Sequence, residues 1–270
     1  MRIRVYVNLR SAASAVASQI AAALRRKPDL VLGLPTGRTP LPLYDELAAR
    51  AARRGIDFSS ATSFNLDEFW GLPSAHPASY RAFMERHLFS RVNIDRRRIH
   101  VLRGAARRPD AECARFERAL RRAGGIDLLL LGLGANGHIG FNEPGRSLVA
   151  GTHCAPLTPA TRRANAALFG GRLDRVPRRA LTMGMATILG ARRIVLVATG
   201  RKKAATVRRM IEGPITPHLP ASFLQLHPDV EVVLDRAAAS GLMRRVPQRR
   251  GKRRLALGFT TERQPTPRGV

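Results

Sequence analysis

The sequence predicts an α/β protein, an open and mostly parallel sheet with helices on both faces, folded as a single domain. Three observations carry that expectation. Short β-rich runs alternate with longer helical ones along the 270 residues. Several short runs are near-continuous apolar stretches, the pattern of strands buried on both faces of a parallel sheet. The breaks that follow them are rich in Gly, Pro and Thr, and ligands of such Rossmann-like three-layer sheets bind at the carboxyl ends of the strands.

The elements follow in order. "IRVYV" (3–7) reads as a strand, and 11–27 as a helix opened by a capping Ser11. "DLVLGL" (29–34) is a second strand, "PTGRTP" (35–40) breaks the chain, and 41–54 is helical. Further strands are expected at Thr62–Asn65, at "IDLLLLGLG" (126–134), at "RRIVLVAT" (192–199) and at "VEVVLD" (230–235). Helices are expected over 110–124, over "TMGMATILG" (182–190) and over "RKKAATVRRMIEG" (201–213). There is no internal repeat. From 243 the pattern dissolves into Arg, Pro and Gly, so 1–242 is expected to form the catalytic domain and 243–270 a basic, flexible tail.

Composition excludes several classes. A hydrophobic content of 44% suffices for an ordinary core, and no stretch approaches the ~18 apolar residues of a membrane helix. With no secretory leader and only Cys113 and Cys154, neither a disulfide framework nor a zinc pattern is available, and a cytoplasmic protein is expected. The net charge of +28 would suggest nucleic acid. However, only Lys27, Lys202, Lys203 and Lys252 among the 47 basic residues are lysines, as a GC-rich coding sequence would give without selection for binding. The arginines are spread along the chain and densest in the last 27 residues, so solvated surface and tail charge is preferred to a polyanion site and nucleic acid is not an expected partner.

Four strand ends carry the chemistry. In "PTGRTP", Gly37 lets the backbone approach a ligand and the hydroxyls of Thr36 and Thr39 flank a helix start; this suits a phosphate, and equally suits a tight turn. In "GRKKAATV", Lys203 just inside a helix start could meet the same phosphate, in a place the helix dipole disfavours for a surface cation. In "SFNLDEFWGLP", the adjacent carboxylates Asp67 and Glu68 follow an apolar strand, so at least one should be desolvated towards the pKa of a working base; a helix-capping Asp is the alternative. In "GLGANGHIGFNEPG" (132–145), glycines surround His138, and Glu143 five residues on can orient the imidazole. No Ser or Cys nucleophile stands in that motif and these acids and His138 have no metal spacing, so proton transfer is the chemistry suggested.

The motifs "LGLPTGRTP", "FNLDEFWGL", "HPASY", "DAEC", "GLGANGHIGFNEPG", "TMGMATIL" and "FLQLHP", in this order, resemble the glucosamine-6-phosphate deaminases over about 29–235. The related 6-phosphogluconolactonases usually carry "DGHTASLFP" where this chain has "GHIGFNEP". The resemblance implies conversion of glucosamine 6-phosphate to fructose 6-phosphate and ammonia, with a small-molecule sugar phosphate as partner and no metal or organic cofactor. It implies Asp67 as the base moving a proton between C2 and C1, His138 with Glu143 as the ring-opening pair, and Asn136 as their hydrogen-bond partner. It implies a phosphate held by Thr36, Gly37, Thr39 and Lys203, with Arg38 beside them. Self-association into a homo-oligomer is left open.

Two departures from the family pattern stand out. Ala167 occupies the place of a lid arginine that usually closes on the phosphate, with Arg162, Arg163, Arg38 or Arg172 as substitutes. "GTHCAPLT" (151–158) lacks the basic residues of allosteric members, so activation by an N-acetylated sugar phosphate is not expected. The competing readings are a 6-phosphogluconolactonase-like hydrolase, a non-catalytic sugar-phosphate sensor of the same fold, and a polyanion binder acting through the tail. Sensors normally carry an N-terminal helix-turn-helix, whereas this chain begins with a strand of the sheet, and they tend to lose the acids retained here as Asp67, His138 and Glu143.

Overall fold

The computed structural model describes residues 1–242; the basic tail expected at 243–270 lies outside them. Seven strands form one parallel sheet in the order β1 (Arg2–Tyr6), β10 (Val230–Asp235), β9 (Arg193–Ala198), β6 (Leu128–Gly132), β2 (Val31–Leu34), β3 (Thr62–Asn65), β5 (Ile99–His100). Alternate residues of β6 bury on opposite faces: Leu129 and Leu131 pack with Phe116, Ile188 and Val207, while Leu128 and Leu130 pack with Ile20, Leu47 and Met84. That two-sided burial is why the strands read as unbroken apolar runs. Helices α1 (Leu9–Arg26), α2 (Leu41–Ala52) and α3 (Tyr80–His87) cover one face, and α4 (Pro109–Arg122), α6 (Met185–Leu189) and α7 (Ala204–Glu212) the other.

From β2 the chain runs outward to β3 and β5, then returns to β6 on the opposite side of β2 and continues to β9 and β10. Strand order therefore reverses between β2 and β6, and the loops leaving their carboxyl ends diverge to open a crevice. These are the loops that contain Thr36 to Thr39 and His138 to Glu143.

Several local readings are corrected. Helix α1 is capped by Asn8, whose side chain accepts from the Ser11 N–H at 2.9 Å; Ser11 is the third helical residue of a capping box, because Asn8 can already hold the extended backbone a cap needs. The helix expected over 182–190 is cut to Met185–Leu189, since Arg179–Thr182 forms β8. That strand is the centre of a second, antiparallel sheet, β4 (Asp67–Phe69), β8, β7 (His153–Pro156), which three- and four-residue strands gave too little periodicity to reveal. Phe69, Tyr80, Phe141 and Phe169 form its own small aromatic core, with Phe69 at 4.9 Å from Tyr80 and 5.4 Å from Phe169 between ring centroids. The helix expected over 201–213 begins as a 3-10 turn at Arg201–Lys203, so Lys203 caps α7 from outside it.

Candidate active site

The crevice at the reversal of strand order is a cleft of about 540 Å³ lined by Thr36, Gly37, Arg38, Thr39, Asp67, His138 and Lys203. All four strand ends singled out in the sequence thus meet in one cavity. Asn136 and Glu143 stand behind His138 and do not themselves line it.

The β2 end supplies a turn of free backbone amides. The buried Tyr44 of α2 donates its hydroxyl to the Pro35 carbonyl and so fixes the turn to the helix behind it. Gly37 has φ +108°, a conformation that side-chain-bearing residues rarely adopt. The N–H groups of Gly37, Arg38 and Thr39 have no hydrogen-bond acceptor among the described residues, and α2 has no side-chain cap. Free amides at a helix start attract anions. Lys203 reaches the same cavity from the end of β9; burial pushes its pKa down, and no carboxylate pairs with it among the described residues. Lys202 is exposed and off the cleft wall.

Adjacent in β4, Asp67 and Glu68 point to opposite sides of the strand. Glu68 is 1% exposed and accepts from the N–H groups of Phe69 (2.9 Å), Tyr80 (3.0 Å) and Arg81 (3.0 Å) and from the Ser79 hydroxyl (3.1 Å). It anchors the first two N–H groups of α3, while the helix cap itself is Ser79, whose hydroxyl accepts from the Ala82 N–H at 3.2 Å, so the capping role weighed for an Asp falls to neither carboxylate. The Asp67 carboxyl is 8% exposed, faces the cleft, and has no hydrogen-bond donor among the described residues. Burial, and then the neighbouring Glu68 charge, push its pKa up to about 8. Gly140 closes over it: a Cβ there would stand 3.8 Å from Asp67 Oδ2 and 2.8 Å from Thr182 Oγ1.

His138 lies on the opposite wall. A Cβ on Gly134 would come within 2.5 Å of the imidazole ring, so glycine is what allows the ring to lie flat on the turn. Nδ1 stands 3.6 Å from Glu143 Oε2 and has no hydrogen bond of its own; such contacts often stand long and tighten when substrate enters. Asn136 donates to Glu143 Oε2 at 2.8 Å and accepts from the His138 N–H at 3.2 Å, while the Thr161 hydroxyl donates to Glu143 Oε1. Burial would raise the pKa of Glu143, but His138, Thr161 and Asn136 outweigh it and hold it below the usual value. A glutamate held anionic in this way favours Nδ1–H on the ring, leaving Nε2 to exchange protons.

Three residues of the site were not singled out from the sequence. Thr161 lies in α5 (Pro159–Asn165) and carried no signal apart from its helix-start context "TPATRR". Tyr80, its hydroxyl 3.5 Å from Asn165 Oδ1, sits in the quoted "HPASY" and lines the cleft. Asn142, 2% exposed, ties the turn down through the carbonyls of Ile139 (2.9 Å) and Met183 (2.8 Å). The lid itself is α5 with the 3-10 turn Ala166–Phe169, and Ala167 and Leu168 face the cavity. Of the four substitutes for a lid arginine, Arg162 is turned onto the carbonyls of Leu173 and Val176, Arg172 pairs with Asp174 at 2.8 Å, and Arg163 is off the wall; Arg38 alone lines the cleft.

A half-buried histidine backed by a glutamate, and an isolated buried carboxyl, face one cleft beside a turn of free amides and a lysine, in an α/β fold. Residues 7–233 match the family model described as glucosamine-6-phosphate isomerases/6-phosphogluconolactonase, and the chain belongs to that family. It is 46% identical over 240 residues to the glucosamine-6-phosphate deaminase of Halothermothrix orenii, covering 89% of this chain and 99% of that one. It is 50% identical over 245 residues to that of Rhodopirellula baltica, covering 91% and 97%. Among solved structures, a monomeric glucosamine-6-phosphate deaminase superposes with a TM-score of 0.86 at 41% identity, covering 89% of this chain and all of that one. The 6-phosphogluconolactonase of Thermotoga maritima shares the fold, with a TM-score of 0.68 at 20% identity over 86% of this chain and 97% of that one. Among the described residues no helix is long and apolar enough to cross a membrane, and no three His, Cys, Asp or Glu side chains converge as metal ligands.

Proposed function

We propose that the protein is a glucosamine-6-phosphate deaminase, releasing ammonia and fructose 6-phosphate in amino-sugar breakdown. The observation that carries this reading is the single cleft lined by an unpaired buried carboxyl, a glutamate-backed imidazole and a cationic anion nest. The substrate phosphate sits on the amides of residues 37–39 with the hydroxyls of Thr36 and Thr39, neutralised by Lys203 and Arg38. Its binding energy positions the sugar ring against the two proton-transfer groups.

His138 Nε2 takes the proton from O1 and delivers it to the ring oxygen as the bond from C1 to that oxygen breaks, opening the pyranose to the C1 aldehyde. Glu143 stabilises the imidazolium formed along the way, and Asn136 and Thr161 keep that glutamate aimed. Asp67, as carboxylate, takes the proton from C2; the C2–H pair becomes the C1–C2 double bond while one ammonium proton passes to O1, giving an enolamine, and Asp67 then returns its proton to C1 as the nitrogen lone pair forms the C2–N iminium. Water adds to that carbon and ammonia leaves, giving the ketone. Asp67 must be ionised to begin, and the C2 ammonium of the entering substrate favours that form.

A lactone hydrolase of the same fold is not favoured, since the relatives at 46% and 50% identity are named deaminases and the lactonase likeness is at 20%. A hyperbolic rate curve, with no response to an N-acetylated sugar phosphate, is expected because residues 151–158, which hold β7, contain no Lys or Arg. The reading is tested by identifying the product: equimolar fructose 6-phosphate and ammonia from glucosamine 6-phosphate are expected. Turnover of 6-phosphogluconolactone with none of glucosamine 6-phosphate would refute it.

A further inference from the structure

A second cavity, of about 1060 Å³, opens across α3 from the active cleft, shares only Arg86 with its wall, and has no part in the chemistry above. Arg81, Arg86, Arg97, Arg103 and Arg115 line its walls. The acid on the wall, Glu85, is paired with Arg96. Arg115 is held by Glu112, with Nε 2.7 Å from Oε2 and Nη2 2.5 Å from Oε1. The other four guanidiniums have no hydrogen-bond or ion-pair partner among the described residues.

In so arginine-rich a chain, proximity alone would mean little. Here, however, buried carboxylates hold the backbone at two of these arginines and the guanidinium of a third. The Arg81 N–H is fixed by Glu68, 1% exposed, at 3.0 Å. The Arg103 N–H is fixed by Glu112, 5% exposed, at 2.8 Å, and the same glutamate clamps the Arg115 side chain. Beneath this rim the floor is apolar, built from Ile99, Val101 and Leu102, with His100 stacked on Phe64 at 4.4 Å and an interplanar angle of 16°. The groove is thus cationic at the rim and apolar at the base, and its volume lies just above the ~300–1,000 Å³ range of small-molecule sites.

A sugar monophosphate would leave most of those guanidiniums unmatched. Arginine binds phosphate oxygens bidentately, and four unpaired forks call for several phosphate charges. We propose that this groove binds a nucleoside polyphosphate, its phosphates on Arg81, Arg86, Arg97 and Arg103 and its base on the apolar floor of residues 99–102. The apolar floor between the arginines favours one base with clustered phosphates over a nucleic-acid strand, which an extended basic stripe would serve better.

The test is calorimetry on the full chain at fixed ionic strength, with ATP as probe and fructose 6-phosphate present at saturation to occupy the active cleft. One ATP per chain is expected, bound at least tenfold more weakly by Arg81→Ala/Arg103→Ala and within twofold unchanged by Arg25→Ala/Arg26→Ala, which removes the same charge elsewhere. Tripolyphosphate, lacking a base, should bind at least fivefold more weakly than ATP. The proposal is overturned by absence of ATP binding, by equal losses in the two double variants, by displacement with fructose 6-phosphate, or by tripolyphosphate or a single-stranded oligonucleotide binding as tightly as ATP. Binding heat is read without turnover, so the deaminase reading stands or falls separately.

Discussion

At the scale of residues, the site depends on two neighbouring carboxylates meeting opposite fates. Glu68 collects four donors and Asp67 none, so burial acts on Asp67 without compensation and its pKa rises to about 8. If the carboxylate is the base, kcat/KM should fall tenfold per pH unit below about 8, where free Asp67 is protonated. The corresponding limb of kcat should lie at lower pH, because the bound ammonium favours the anion. Pre-steady-state and steady-state pH profiles check both. The sign for stability follows from the same shift: the folded state holds this proton more tightly than the unfolded one, whose value is near 3.8, so the group's stabilising contribution is full below that value and is lost as pH rises towards 8. Asp67→Asn should therefore gain in Tm relative to the natural chain as pH is raised from 4 to 9, by roughly 3 °C or more, and scanning calorimetry reads it.

At the scale of elements, β4 and α3 act as one unit, since the glutamate that follows the base is also the anchor of the helix beside it. Replacing one Glu68 oxygen by an amide in Glu68→Gln turns an acceptor into a donor facing an N–H or hydroxyl. Loss of about 1–3 kcal/mol is expected, a Tm fall of roughly 3–10 °C, together with a lower acid limb for Asp67 because a like charge has gone. A Tm unchanged within 1 °C (on the order of a few tenths of a kcal/mol) would contradict the anchoring role. At the lid, where Ala167 offers no charge, Arg38→Ala should raise KM for the sugar phosphate roughly tenfold, the loss of one charge-assisted contact, while Arg163→Ala leaves it within twofold. Here the sequence was informative about identity and poor about partnership. It named Arg38 among four candidates, and only the positions of Arg162, Arg163 and Arg172 in the fold separated them. Thr161 was illegible because its bond to Glu143 joins residues far apart in the chain through a short helix.

At the scale of the whole molecule, the main sheet was legible because strands such as β6 and β9 are buried on both faces and cannot be mistaken for amphipathic surface elements. The second sheet was not: β4, β7 and β8 are three or four residues long, and β4 pairs with a strand more than a hundred residues along the chain, as Asp67 with Thr182. The reversal between β2 and β6 then explains why four separate strand-end motifs form one cavity. The charge of +28 does not itself locate a site. What distinguishes the arginines behind α3 is that Arg81, Arg86, Arg97 and Arg103 line one cavity without side-chain partners among the described residues, with the backbone of Arg81 and Arg103 held by Glu68 and Glu112.

The central claim is that the full chain deaminates glucosamine 6-phosphate with Asp67 and His138 as its proton-transfer groups. Ammonia release, measured beside sugar-phosphate binding for the natural chain, Asp67→Asn and His138→Gln, tests it most directly. The natural chain should release ammonia continuously, and both variants should bind the sugar phosphate yet release it at least a hundredfold more slowly, as loss of a general acid or base does. A natural chain that binds and releases none, or an Asp67→Asn chain that keeps its rate, would contradict the account.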